Sequence, residues 1–177
     1  MLRRFGRRVM GPFEWTQAGW LGQLANSLTI PKGSSRLLFK NGKLVGPVNA
    51  TDPDRIMVGP PDETTAAIEA ATFHVVTGAL HRPRTPFKLR RGRMWVWNVS
   101  ELAGMADNSE APCRSSLFVF ENGQQLPMPH SLHVDIARTG NGRFSHWGDN
   151  VYFAPLSLAD PNADLDRYAI VMPTEPT

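Results

Sequence analysis

The sequence predicts a mainly β fold, an antiparallel sandwich or barrel-like arrangement with a few short helices. Gly and Pro are both abundant, with 15 of each in 177 residues, and this composition is typical of a turn-rich chain rather than a helix bundle. Short aromatic and β-branched segments are separated by Gly, Pro, Asn or Asp, a pattern that predicts strands joined by turns. Two Asn-Gly pairs, Asn41-Gly42 and Asn122-Gly123, favour two-residue hairpin turns because both residues tolerate positive φ.

The two Asn-Gly turns predict two hairpins. The first pairs Leu37–Lys40 with Lys43–Val45, and the second pairs Leu117–Glu121 with Gln124–Leu126. Five further strands are predicted by the same residue preferences: Thr72–Val76, Met94–Val99, Arg143–Trp147, Val151–Ala154 and Tyr168–Met172.

Three short helices are predicted between these strands. The segment Asp62–Ala71 has acids in its first turn and is rich in Ala, which favours a helix start followed by close packing. Ser100–Ala106 and Ser131–Thr139 each begin with a serine that is predicted to act as the N-cap. In the last of these, Leu132 and Ile136 are spaced to share one face.

The chain is predicted to be a single domain, 1–177, and it contains an internal repeat. SSRLLFKNG, residues 34–42, aligns with SSLFVFENG, residues 115–123, and a short helical turn is predicted before each copy. Two half-repeats, 15–93 and 94–172, would give pseudo-two-fold symmetry. The alternative is that hairpins of this composition recur by chance.

The net charge of +3 conceals an asymmetry between the two halves. Residues 1–93 carry 15 Lys and Arg against 6 Asp and Glu, whereas residues 94–177 carry 4 against 10. An anionic polymer or the acidic half of another copy is therefore a candidate partner. No nucleic-acid motif accompanies the basic half, so nucleic acid is not expected. Six residues form the basic cluster: Arg82, Arg84, Lys88, Arg90, Arg91 and Arg93.

Targeting features are sparse. No apolar run reaches eighteen residues, so no membrane span is expected. Residues 1–12 are predicted to form a basic N-terminal arm, and they lack the apolar stretch of a secretory signal. The single Cys113 fits a reducing compartment, and a cytoplasmic location is predicted.

The segment GRFSHWGDNVYF, Gly142–Phe153, is the best candidate for a ligand surface. It combines an aromatic ring with planar hydrogen-bonding groups, which suits the apolar faces and hydroxyls of a sugar. Strand alternation places Arg143, Ser145 and Trp147 on one face. The alternative is a purely architectural hairpin with Trp147 in the core. The predicted ligand-binding residues are Arg143, His146, Trp147, Asp149 and Asn150.

No catalytic residue, metal site or cofactor is predicted. His130 and His133 are separated by two residues, but no Cys pair or acidic partner at metal-ligand spacing accompanies them. Ser145 and His146 are adjacent in a predicted strand and so face opposite ways. The alternating acids of DPNADLDRY, residues 160–168, lack the central Gly and terminal Glu of a calcium loop.

A resemblance is carried by an E-N-G turn at 121–123, a His-containing helix and G-R-F-S-H-W-G at 142–148 before an aromatic strand. A D-P-N turn with a closing Arg and Tyr follows. With these motifs, residues 101–168 resemble an uncharacterised bacterial segment associated with surface-polysaccharide biosynthesis, near glycosyltransferases and methyltransferases. This chain departs from the pattern at residues 163–166, where a second Asn-Gly-type turn is expected. The resemblance implies a glycan context and no mechanism.

Together these observations predict a non-catalytic glycan-binding or accessory domain of a bacterial polysaccharide-handling system. One alternative is a structural protein that self-associates through its charge-asymmetric halves. A second alternative is a small His-dependent enzyme.

Overall fold

A computed structural model describes residues 7–24, 30, 34–48, 54–157 and 159–174. The prediction of a mainly antiparallel β fold is confirmed, and the strands lie in open sheets. The chain divides into two compact units, one formed by Met1–Leu80 with Met172–Thr177 and the other by His81–Val171.

The first unit is an antiparallel sheet with one short helix. Its strands follow the hydrogen-bonded order β5, β2, β1, β6, β3, β4. Val9, Ile56, Phe73 and Val75 fill its core together with Ile68 of the helix. The elements are β1 (Arg7–Thr16), β2 (Gly19–Leu24), β3 (Ser35–Lys40), β4 (Lys43–Val48), β5 (Arg55–Gly59), α1 (Thr65–Ala70) and β6 (Phe73–His81).

The second unit contains two groups of strands. The first group pairs β10 with β9 and β9 with β13, and the second follows the order β11, β12, β8, β7. The elements are β7 (Lys88–Arg91), β8 (Met94–Asn98), β9 (Phe118–Glu121), β10 (Gln124–Gln125), α2 (His133–Arg138), β11 (Phe144–Trp147), β12 (Asn150–Phe153) and β13 (Tyr168–Pro173). Three short 3₁₀ helices span Ser100–Met105, Pro161–Ala163 and Leu165–Arg167.

Aromatic edge-to-face contacts build the core of the second unit. The ring of Phe87 lies 5.5 Å from Trp97, 5.0 Å from Phe153 and 5.2 Å from Tyr168, centroid to centroid. The side chain of Asn162 accepts from the Phe87 N–H (2.7 Å) and donates to the Phe87 carbonyl (3.0 Å). These two bonds hold the backbone of Phe87 and so position its buried ring.

Both Asn-Gly hairpins are present at the predicted tips. Asn41 and Asn122 have φ values of 51° and 50°, and the glycines that follow them are also at positive φ. The two predicted half-repeats agree in one feature and differ in another. Phe39 and Phe120 are both buried, but the segment before the first hairpin is strand β2 and the segment before the second is a 3₁₀ helix. The prediction of a shared helical turn is therefore wrong, and the duplication stays a hypothesis.

Several local predictions need correction. Residues 7–12, predicted as an arm, lie in β1 because their backbone pairs with β2 and β6; residues 1–6 lie outside the described part of the chain. Helix α2 takes Leu132 as its N-cap, since the Ser131 hydroxyl donates to the Met128 carbonyl instead of capping. Leu132 therefore precedes the helix and is exposed, while Ile136 is buried.

The other two predicted helices also begin differently. Helix α1 is capped by Thr64, whose hydroxyl accepts from the Ala67 N–H at 3.3 Å. The segment at Ser100 forms a 3₁₀ helix whose N-cap is Val99, with no side-chain capping bond. The predicted cap at Ser100 is therefore wrong.

Candidate functional site

Strand β11 organises a pocket in the second unit. Two loop segments hydrogen-bond to its outer edge: the Asp107 N–H donates to the His146 carbonyl (2.9 Å), and the Ser131 N–H donates to the Phe144 carbonyl (3.0 Å). Asp107 also forms an isolated parallel bridge with Trp147 of the strand, and Met128 forms one with Arg143, the residue before the strand. Residues far apart in sequence are therefore held along one strand.

The resulting cavity has a volume of about 450 Å³, within the range of small-ligand sites. We call it the histidine pocket. Its lining combines polar groups with exposed apolar side chains: Asp107, Pro112, His130, Ser131, Leu132, His133, Val134, Ser145 and Trp147.

A buried carboxylate holds one of the two histidines. The side chain of Asp107 is 2 % exposed, and its Oδ2 lies 2.7 Å from His130 Nδ1. Its Oδ1 accepts the Ser115 N–H at 2.8 Å. Both carboxylate oxygens therefore have a donor, which a buried charge requires. His130 itself adopts φ = 53°, a left-handed conformation that is uncommon outside glycine.

The second histidine is held by a hydroxyl and two rings. His133 Nε2 lies 3.0 Å from Ser145 Oγ. Its imidazole lies 4.1 Å from the Tyr152 ring and 6.5 Å, edge-on, from the Trp147 ring, measured between centroids. Burial lowers the pKa of His133 below its usual 6.5, so the ring is neutral at pH 7 and can either donate or accept.

Trp147 is the predicted ligand residue that lies in the pocket. Its side chain is 43 % exposed at the end of β11, and Ser145 shares its face, as the alternation predicts. Trp147 is therefore not a core residue.

The other predicted ligand residues lie elsewhere. His146 is 1 % exposed, and its Nδ1 lies 2.8 Å from Ser115 Oγ. Burial lowers the pKa of His146, and the charge of Asp107 offsets part of that shift. His146 occupies the opposite face because neighbouring strand residues alternate.

Three polar residues of the same segment do not line the pocket. Arg143 donates from its guanidinium to the Gly140 carbonyl at 3.2 Å. Asp149 is exposed in the hairpin turn, and the Asn150 side chain lies 3.5 Å from that of Asn98. The pocket instead uses Asp107, His130 and His133, which sequence reasoning did not select. The short separation of His130 and His133 was the sequence signal for the two histidines, and no sequence signal pointed to Asp107.

All six residues of the basic cluster are exposed. Four lie in or beside β7, the edge strand of its sheet, in which every residue is exposed. Arg82 donates to the carbonyls of Asp166 and Tyr168, and Arg93 donates to that of Thr139. The cluster is therefore exposed, although two of its guanidinium groups also bind backbone carbonyls.

The described residues contain neither a metal-binding cluster nor a membrane-spanning helix. No group of three or more His, Cys, Asp or Glu among them is arranged to hold a metal ion, and none of their helices is long and apolar enough to cross a bilayer.

The alternating acids of the 160–168 loop have a structural role. The carboxylates of Asp160 and Asp164 cap the two 3₁₀ helices of that loop.

Comparison with known proteins adds no assignment, because no family model, curated protein or solved structure matches this chain.

Proposed function

We propose that this chain binds a saccharide in the histidine pocket. The observation that carries the proposal is the exposed indole of Trp147 beside imidazole and hydroxyl groups in a cavity of about 450 Å³. A sugar ring has one face of C–H groups and an equator of hydroxyls. An aromatic ring can cover the first, and groups that both donate and accept can bind the second.

The polar groups of the pocket suit hydroxyl ligands. His130 is held through Nδ1, so its Nε2 remains available as an acceptor. Ser131 and Ser145 add two hydroxyls. That of Ser131 donates to the Met128 carbonyl and can accept from a ligand, and that of Ser145 can donate or accept. These groups sit on backbone that is hydrogen-bonded to β11, and such preorganisation reduces the entropy lost on binding.

A role in polysaccharide handling is the wider form of this proposal. The segment Gly142–Gly148, which carries most of the resemblance to the polysaccharide-associated bacterial segment, supplies Ser145 and Trp147. An accessory domain that holds a glycan for a neighbouring enzyme would use such a pocket.

Replacing Trp147 by Ala tests the proposal on a glycan array. Loss of a central aromatic anchor should weaken binding by roughly thirtyfold, or about 2 kcal/mol. Trp15→Ala is the matched control, because Trp15 is also an exposed indole, 53 % accessible, and lies in the other unit. It should leave binding unchanged.

The melting temperature separates binding from folding. Trp147→Ala should melt close to the parent because its ring is already partly in water. Asp149→Ala, outside the pocket, should bind as the parent does. Unchanged glycan binding by Trp147→Ala would exclude the pocket as the sugar site.

A further inference from the structure

The Asp107–His130 pair has the geometry of an oriented base. Asp107 Oδ2 lies 2.7 Å from Nδ1 of the imidazole, and a carboxylate acceptor at that position places the ring proton on Nδ1. The lone pair of Nε2 is then free. Among the described residues, Nε2 has no hydrogen-bond partner, and the ring lines the histidine pocket.

Two unfavourable features accompany this arrangement. The Asp107 carboxylate is almost fully buried, which carries a desolvation penalty. The backbone of His130 lies in the left-handed region at φ = 53°, a sparsely populated conformation for a residue other than glycine. A histidine without a functional role requires neither a buried carboxylate partner nor a left-handed backbone. Both are expected where the direction of one ring nitrogen matters.

We propose that His130, positioned by Asp107, is the general base of an ester hydrolase and that the substrate is an O-acylated saccharide. The substrate class rests on the saccharide binding proposed above. The apolar side of the pocket, Leu132 and Val134, supplies the site for the acyl group. These two side chains are 68 % and 46 % exposed beside Trp147.

The chemistry requires only water as co-reactant. His130 Nε2 removes a proton from water as its oxygen bonds to the ester carbonyl carbon, and the carbonyl π electrons move to the carbonyl oxygen. Collapse of this tetrahedral intermediate breaks the bond to the sugar oxygen, which takes the proton back from Nε2. The products are a carboxylic acid and a free sugar hydroxyl. The carboxylate of Asp107, hydrogen-bonded to Nδ1, stabilises the transient imidazolium.

A second pair in the pocket can assist the charged intermediate. Ser145 Oγ lies 3.0 Å from His133 Nε2. When Nε2 carries the ring proton, it donates to Ser145, whose own hydroxyl can then donate to the developing oxyanion. Ser145 acts here as a donor and not as a nucleophile.

The test uses the full chain with p-nitrophenyl acetate and with glucose pentaacetate, following nitrophenolate and acetate release. Because general-base catalysis contributes about 10²–10⁴-fold, His130→Gly should lower kcat/KM by at least about a hundredfold. Glycine accepts the positive φ and leaves space for added imidazole, which should restore part of the rate. His130→Asn serves as a second variant if the glycine variant does not fold.

Two further variants separate positioning from structure. Asp107→Asn should lower kcat with little change in KM, because binding contacts remain while the ring loses its orientation, and added imidazole should not rescue it. His81→Asn is the matched control, since His81 Nδ1 also faces a carboxylate, that of Glu101 at 3.5 Å. It should hydrolyse as the parent does.

Hydrolysis no faster than the imidazole background, or equal rates for His130→Gly and the parent, would overturn the inference. Labelling of Ser145 by a fluorophosphonate would also overturn it, because it would make that residue the nucleophile. p-Nitrophenyl acetate contains no sugar, so its hydrolysis tests the Asp107–His130 pair even if the glycan array is blank. Glycan binding without hydrolysis removes this inference and leaves the proposed saccharide site intact.

Discussion

The imidazole of His133 lies over the phenol ring of Tyr152, with ring centroids 4.1 Å apart and planes tilted by 37°. This contact joins the first turn of α2 to strand β12 and sets the direction in which Nε2 meets Ser145. It also removes the imidazole from water, which is why its pKa is lowered.

Stability should fall as the pH decreases below neutrality. Burial depresses the folded-state pKa of both His133 and His146 below the unfolded value of 6.5, so the unfolded chain binds more protons. The free energy of unfolding therefore decreases once the pH falls through 6.5, until the folded pKa values are reached. Each such histidine contributes up to about 1.4 kcal/mol per pH unit.

Thermal denaturation between pH 8 and pH 5.5 measures this dependence. His146→Asn should reduce the slope of stability against pH, because one of the titrating groups is gone. A slope equal to that of the parent would exclude His146 as a contributor.

Ser115→Ala should destabilise the second unit. The Ser115 hydroxyl is the partner of the buried His146 Nδ1 at 2.8 Å, and His146 Nε2 is also buried with no partner among the described residues. Removing the hydroxyl leaves the ring without hydrogen bonds, at a cost of about 1–3 kcal/mol. Urea denaturation measures the loss, and the exposed Ser100→Ala should show none.

Glu121 should be important for stability although it sits in the predicted E-N-G turn. Its buried carboxylate accepts from the Leu156 N–H (2.6 Å), the Ser157 hydroxyl (2.8 Å) and the Tyr168 hydroxyl (3.2 Å). Burial, followed by the charge of Glu121, raises the pKa of Tyr168 to about 12. Glu121→Leu should therefore cost about 3 kcal/mol of unfolding free energy.

Chemical denaturation checks this value against Glu110→Leu, a change at an exposed acid of the same unit. Equal midpoints for the two variants would show that the donors around Glu121 find other partners.

The basic cluster should bind anionic polymers in a salt-dependent manner. Its side chains are exposed, and screening limits the reach of such charges to about 8 Å at physiological ionic strength. Arg90→Ser with Arg91→Ser should elute from immobilised heparin at lower salt than the parent. Arg114→Ser with Arg138→Ser removes the same charge elsewhere on the second unit and is the control. Coelution of the two double variants would assign the retention to net charge alone.

Local chemistry in the sequence determined the hairpins and one face of the pocket. Asn41-Gly42 and Asn122-Gly123 form turns because those residue types accept positive φ, a property that needs no distant partner. Alternation along β11 likewise placed Ser145 and Trp147 together. By contrast, β1 was not predicted because Val9 is the only residue of that strand that is buried, so its sequence shows no alternation.

The tertiary structure alone decided which polar groups meet. Asp107 reaches His130 across 23 residues, and His133 reaches Ser145 across 12, because separate loops hydrogen-bond to the same edge of β11. Alternation indicated that His146 and Trp147 face opposite ways, but only packing made one side the core and the other a pocket. Which face of a strand is buried depends on the segments that pack against it. The local sequence of the strand does not determine which segments those are.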